Sequence, residues 1–171
     1  MAVLRYITRT GLYVVVAYVF PREFLGGLFD GDGGPFVKIC ERKNKFDFGV
    51  SLTSSNISLL DLVEWILEDR RFGFGFEVMR YTKYKEGEKV VIKGREYAVR
   101  RTESIVIYRR EDVERFSQLI GFRIGWKREQ LADALYVYHS FNNRKRIEWW
   151  KRRYFKCGDK WVKRTWPENP R

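Results

Sequence analysis

Two adjacent glycines inside an apolar helix constrain this chain more than any other feature. They belong to the nine-residue run Leu25 to Gly33 (LGGLFDGDG), preceded by Pro21 and followed by Phe36 and Val37. Pro21 suits a first helical position, where its missing N–H costs nothing. The pattern predicts a helix from Arg22 to about Asp30 that stops in the glycine-rich stretch Gly31 to Gly34. Gly26 and Gly27 should each cost that helix about 1 kcal/mol relative to alanine. Close approach of a second helix backbone is the usual compensation. Two helices crossing at these glycines would bring their C-terminal ends together and set two Asp32 carboxylates side by side. Like charges so placed need cations between them, and shared hard ligands of that kind are what two-metal phosphodiester hydrolysis requires.

Blander readings of the same residues exist. Asp and Gly are ordinary turn formers, so Asp30-Gly31 can end a helix without any chemistry. A calcium loop of EF-hand type would need further oxygen ligands at alternating positions, and Gly34, Pro35 and Phe36 offer none. A P-loop is excluded because no lysine followed by serine or threonine comes after the glycines.

Charge bounds the partners. Lysine and arginine number 34 against 22 acidic residues, a formal net charge of +12, concentrated at 38–45, 83–101 and 144–153. Such an excess favours nucleic acid, with an anionic membrane surface as the alternative. The apolar stretch 12–20 is too short to span a bilayer, which takes about 20 residues. No small-residue cleavage site follows it, since Pro21-Arg22-Glu23 comes next, so it is read as the lead-in to a buried helix and its first turn. The expected setting is cytoplasmic and nucleoid-associated, without a membrane partner. With 44% hydrophobic residues the chain can bury a core, and 171 residues suit one domain, 1–171, with 142–171 as a basic C-terminal extension. Cys40 and Cys157 are too few for a disulfide scaffold or a thiolate metal cluster, and His139 is the only histidine.

Periodicity places the other elements. Segments 36–42 and 46–52 alternate as strands joined at Lys43-Asn44-Lys45, with Lys38, Cys40 and Arg42 on one face. A helix begins at Ser58 with Asp61 completing a capping box, and Leu59, Leu60, Val63, Ile66 and Leu67 point inward. Segments 74–84 and 97–108 are strand-like. Between them 85–93 is either a long turn or the carrier of a short strand at 90–92. Helices at 112–119, 127–138 and 142–154 follow, and after Cys157 the chain reads as a turn and a tail. No unit recurs at fixed spacing, and LGGLFDGDG has no second copy.

The nonapeptide, this element order and the later segment 108–116, with Ile120-Gly121-Phe122 and Lys127-Arg128 beyond it, resemble the LAGLIDADG homing endonucleases. Within them the chain is most similar to the single-motif members of the archaeal intron-encoded kind, over nearly all of 15–140. The resemblance implies an α+β fold, αββαββα, with a curved four-stranded antiparallel DNA-binding sheet plus C-terminal helices. It implies Mg²⁺- or Mn²⁺-dependent cleavage of a pseudo-palindromic duplex of about 20 base pairs. Asp32 corresponds to the catalytic metal-binding carboxylate, with the Gly31 carbonyl as a backbone ligand, and Lys127 lies near the catalytic basic residue. Asp30 is structural and ends the interface helix. One motif per chain implies a homodimer, with Phe24, Gly26, Gly27, Leu28 and Asp30 at its interface. A water-ordering polar residue belongs near Leu52 or Thr53; if the position is Leu52, Asn56 or Ser51 would substitute.

The family's sheet lies in the major groove, which is wide enough to admit it. Lys38, Arg42, Lys43 and Lys45 are then the DNA-binding candidates on the first hairpin, and Arg80, Lys83, Lys85, Arg95, Arg100 and Arg101 on the second. In the C-terminal run, Arg144, Lys145, Lys151 and Arg152 would clamp phosphates, while one of Trp149 and Trp150 packs against the body. Two rivals stand beside this reading. One is a cleavage-inactive DNA-binding protein or RNA maturase on the same scaffold. The other is a basic structural module whose DGDG is only a helix cap.

Overall fold

The computed structural model describes residues 19–92, 94–158 and 160–164. Most of the apolar stretch, 12–18, and the tail 165–171 lie outside the described residues. Alternation decides the sheet. In β2 (Lys45–Ser54) Phe46, Phe48, Val50 and Leu52 are buried, while Asp47, Ser51 and Thr53 are half-exposed, the period of two expected of a strand covered on one face. β1 (Gly33–Cys40) pairs with it antiparallel, Gly33 opposite Leu52 and Cys40 opposite Lys45. The chain later adds β3 (Met79–Tyr84), a separate two-stranded ribbon of β4 (Lys89–Ile92) and β5 (Arg95–Ala98), and β6 (Thr102–Ile107). β6 enters between β2 and β3, so the order across the sheet is β1-β2-β6-β3.

This corrects the expected fold in three respects. The four-stranded antiparallel sheet is open, with free edges at β1 and β3, and it is not curved. Bulges supply curvature, and the register of β1, β2 and β6 runs unbroken; the one shift in this sheet falls at the end of β3, between Thr82 and Tyr84. Second, between the later strands the short strand weighed at 90–92 forms, as β4, and pairs with β5 where one longer strand 97–108 was expected. Phe74 and Phe76 are buried in the core ahead of β3, and the left-handed Gly94 (φ 78°) turns β4 into β5 as a ribbon of its own. Third, the C-terminus is not all helix, as described below.

The helices lie on the sheet face that carries Val37, Phe48, Val50, Leu52, Ile105 and Ile107. α1 (Pro21–Gly31) contributes Leu25 and Phe29, both fully buried and each stabilising by roughly 1.5–3 kcal/mol. The Phe29 ring meets Phe116 edge-on at 4.8 Å, joining α1 to α3 (Arg110–Leu119). α2 (Ile57–Glu68) buries Leu60, Val63, Ile66 and Leu67. Its cap is Asn56, whose side chain accepts the Leu59 N–H at 3.1 Å, and not the Ser58–Asp61 box. α4 (Gly125–Ser140) and α5 (Asn143–Arg153) complete the layer.

Trp150 of α5 is fully buried against Phe46 (5.6 Å) and stacks on Tyr154 at 4.2 Å. Where a turn and tail were expected, β7 (Tyr154–Cys157) and β8 (Lys160–Lys163) form a hairpin. Trp161 of β8 donates its indole N–H to the Val37 carbonyl at 2.9 Å, which covers part of the free β1 edge. Among the described residues, no helix lies on the opposite face of the sheet. That face presents Phe36, Lys38, Asp47, Ser51, Thr53, Met79, Tyr81 and Ser104, with the Phe36 ring lying over Gly49.

Candidate active site

The end of α1 is held by one side chain. Lys127, only 5% exposed, donates from Nζ to the carbonyls of Phe29 (3.1 Å), Asp30 (2.5 Å) and Gly33 (2.6 Å). A lysine ammonium has three donors, so all are taken by backbone. A cation at a helix C-terminus is favourable, whereas burial pushes the Lys127 pKa below the ordinary lysine value. The carboxylates of Asp30 and Asp32 pull it back up, and the charge of Lys160 adds to the lowering.

The two acidic residues of the motif have different surroundings. Asp30 is committed: its carboxylate accepts the backbone N–H groups of Arg123 (3.0 Å) and Ile124 (3.3 Å), capping the approach to α4. Asp32 is exposed and, among the described residues, has neither hydrogen bond nor ion pair on its carboxylate. Gly33 makes the turn between them and the sheet possible. A Cβ there would sit 2.8 Å from the Phe29 Cα and 2.9 Å from the Ser51 carbonyl oxygen, so the chain passes straight from helix to strand only with glycine. Lys127 does not engage the Gly31 carbonyl, which remains beside Asp32.

Asp32 opens into a cavity of about 650 Å³ whose walls also include Ser51, Trp126, Lys127, Gln130 and Lys160. Of the four positions weighed for a water-ordering polar residue, the structure brings Ser51 here. Leu52 is buried in the core, Thr53 shares a 2.7 Å hydrogen bond with Ser104, and Asn56 caps α2. Sequence reasoning missed Trp126, Gln130 and Lys160. Gln130 had a usable signal, since it follows Lys127 by three residues on the same helix face. Lys160 had none, because its strand was not foreseen.

The interface residues divide. Phe24 belongs to the core, Gly27 is exposed and Leu28 half-exposed. An added Cβ at Gly26 or Gly27 would meet nothing within 4 Å, so nothing described in this chain demands glycine at either place.

The basic candidates divide too. Lys38 stands exposed on the uncovered face, and Lys45 beside it pairs with Asp47 at 2.8 Å. Arg42 and Lys43 are exposed in the short turn after β1. Lys83, Lys85, Arg95 and Arg100 are exposed around β3 and the ribbon, and Arg101 pairs with Glu103. Arg80 lies on the covered face, where Asp61 (2.6 Å), Glu64 (2.7 Å) and Glu103 (2.6 Å) surround its guanidinium. Hydrogen bonding from Arg80 and then Arg101 holds the Glu103 carboxyl below its ordinary range, against the effect of burial. Arg144 pairs with Glu148 and Lys151 with Glu41, while Lys145 and Arg152 are exposed. All four belong to α5, which packs on the covered face through Trp150.

Among the described residues no group of three or more His, Cys, Asp or Glu side chains gathers in one protomer. Nor is any described helix long and apolar enough to cross a membrane. The model of the LAGLIDADG-like domain family matches residues 20–121, which takes in α1 through α3. Among solved structures, an archaeal intron-encoded homing endonuclease, I-Vdi141I, complexed with DNA is similar over 71% of this chain and 69% of that one, at 15% identity and a TM-score of 0.43. No curated protein matches the chain.

Proposed function

The chain belongs to the LAGLIDADG-like domain family, and we propose that it is a homing endonuclease acting as a homodimer on one long, nearly palindromic DNA site. The observation that carries this reading is Asp32. Among the described residues it is the one acidic residue of the motif without a hydrogen bond or ion pair, and it stands at the end of a helix fixed by Lys127 and Asp30. The Asp32 carboxylate and the neighbouring Gly31 carbonyl are hard oxygen donors that suit Mg²⁺ or Mn²⁺, with the same pair from a second copy completing the set. A divalent ion held there supplies a polarised water and neutralises charge on the phosphate.

The rest of the chain has supporting roles. Lys127 fixes the helix end from which Asp32 projects, and Ser51 offers a hydroxyl inside the cavity. The uncovered face has a hydroxyl-rich centre, with Ser51, Thr53 and Tyr81 reaching the surface, and a basic margin of Lys38, Arg42, Lys43, Lys83, Lys85, Arg95 and Arg100. That suits base edges at the centre and phosphates at the margin. In this reading 1–171 is one endonuclease domain, and the extension 142–171 adds charge while its described part, through Trp150, buttresses the covered face.

The test is incubation with a randomised duplex library and Mg²⁺ or Mn²⁺, followed by sequencing of cut ends. One dominant site of about 20 base pairs is expected, two half-sites one helical turn apart. Asp32→Asn should abolish cutting while binding persists. Specific binding without cut ends under either ion would overturn the nuclease reading in favour of binding alone.

A further inference from the structure

Lys127 was the expected cation of the site, yet its ammonium is fully taken up by three carbonyls. The cavity nevertheless contains a second lysine. Lys160 begins β8, is exposed, and among the described residues its ammonium has no hydrogen bond or ion pair. Lys163 on the same strand, by contrast, is paired with Glu129. Asp32 and Lys160 line one cavity without pairing with each other. Lys160 is also near enough to Lys127 for its charge to act there.

The frame that carries Lys160 is fixed at three points. Trp161 donates to the Val37 carbonyl at 2.9 Å, Tyr154 donates to Asp133 at 2.6 Å, and the Tyr154 ring stacks on buried Trp150. Between this hairpin and Lys127 sits Gln130. It is 4% exposed, lines the cavity, and among the described residues its amide has no hydrogen-bond partner. Its amide reaches the cavity and is available to a ligand there. Among the described residues, an ammonium and an amide without side-chain partners line the same cavity as a metal-suited carboxylate, a set of groups that suits a phosphate.

We propose that the C-terminal hairpin completes the nucleic-acid site, Lys160 and Gln130 holding a phosphate of the bound strand beside Asp32. This rests on the endonuclease reading above, and the experiment separates the two. Lys160→Met, Lys160→Arg and Gln130→Met are compared with the parent protein, with thermal unfolding of each to confirm folding. Binding to a long random-sequence duplex is measured across a salt series, alongside single-turnover cutting of the selected site.

Lys160→Met should weaken binding about tenfold, the scale of one charge-assisted contact, and shrink the salt slope by about one ion. Lys160→Arg should restore both. Gln130→Met should weaken binding with the slope unchanged, because it removes no charge. If the parent binds and cuts while Lys160→Met keeps the full salt slope, the inference is overturned and the nuclease reading stands. If the parent binds without cutting, the slope still decides Lys160 while the nuclease reading falls. A parent that binds no duplex overturns both.

Discussion

Lys127 ends α1 by side-chain donation, in a chain where glycine could have done so through a left-handed cap. The consequence can be measured. Lys127→Met keeps an apolar stem of similar reach but leaves the carbonyls of Phe29, Asp30 and Gly33 without that donor. Partial access to water tempers the loss, so denaturant unfolding should show a cost of about 2–4 kcal/mol. Asp32→Asn touches an exposed side chain without partners and should stay within about 0.5 kcal/mol of the parent. The pair separates structure from chemistry: Lys127→Met loses stability first, and Asp32→Asn loses only cutting. A Lys127→Met protein as stable as the parent would show that the ammonium serves the reaction and not the helix end. The Gly33 turn belongs to the same device, since alanine there would press on the Phe29 and Ser51 backbone and carry Asp32 with it.

Among the elements, the C-terminal hairpin depends on Tyr154. Burial first, then the hydrogen bond to Asp133, pushes its pKa well above the ordinary tyrosine value of 10.0. The unfolded chain therefore loses this proton near pH 10 and the folded chain later. The folded state binds more protons above that pH, and stability falls as pH rises there. The depressed pKa of Lys127 works in the opposite sense, adding stability as pH climbs toward 10.5. Comparing Tyr154→Phe with the parent across pH 8 to 11 isolates the tyrosine. The variant should be about 1 kcal/mol less stable at neutral pH and should lack the alkaline decline due to this group. Equal slopes in the two proteins would mean that Tyr154 ionises normally.

Much of this scale was legible in the sequence. Phe46, Phe48, Val50 and Leu52 alternate because one face of β2 is covered, and Leu60, Val63, Ile66 and Leu67 mark the buried side of α2. The terminal hairpin was not legible, since three of four residues in β7 are exposed and no face repeats; Trp161, Tyr154 and the Lys163–Glu129 pair tie it down. The ion pairs of Arg80 were not legible, because strand spacing cannot show that Asp61, Glu64 and Glu103 converge on it. Asp32 was legible from the motif, whereas Gln130 and Lys160 reach the same cavity only through tertiary packing.

At the scale of the whole molecule, the described residues of one protomer present a single motif carboxylate without a hydrogen bond or ion pair, and two helical glycines that none of those residues requires. Two copies would double the formal +12 charge on one duplex, so binding should weaken steeply with salt. The glycines give assembly a test with opposite signs. At Gly27 the helix is exposed and a methyl group would meet nothing within 4 Å. In the isolated protomer Gly27→Ala should therefore gain up to about 1 kcal/mol of helix propensity, seen as a higher unfolding temperature at low protein concentration. If a second helix approaches this backbone closely, the same methyl blocks it, and light scattering should show the dimer mass falling to that of a monomer. Cutting, which needs two Asp32 residues together, should fail with it. Higher stability with the dimer and its cutting intact would show that the helices do not meet at Gly27, and the second carboxylate would have to arrive by another surface.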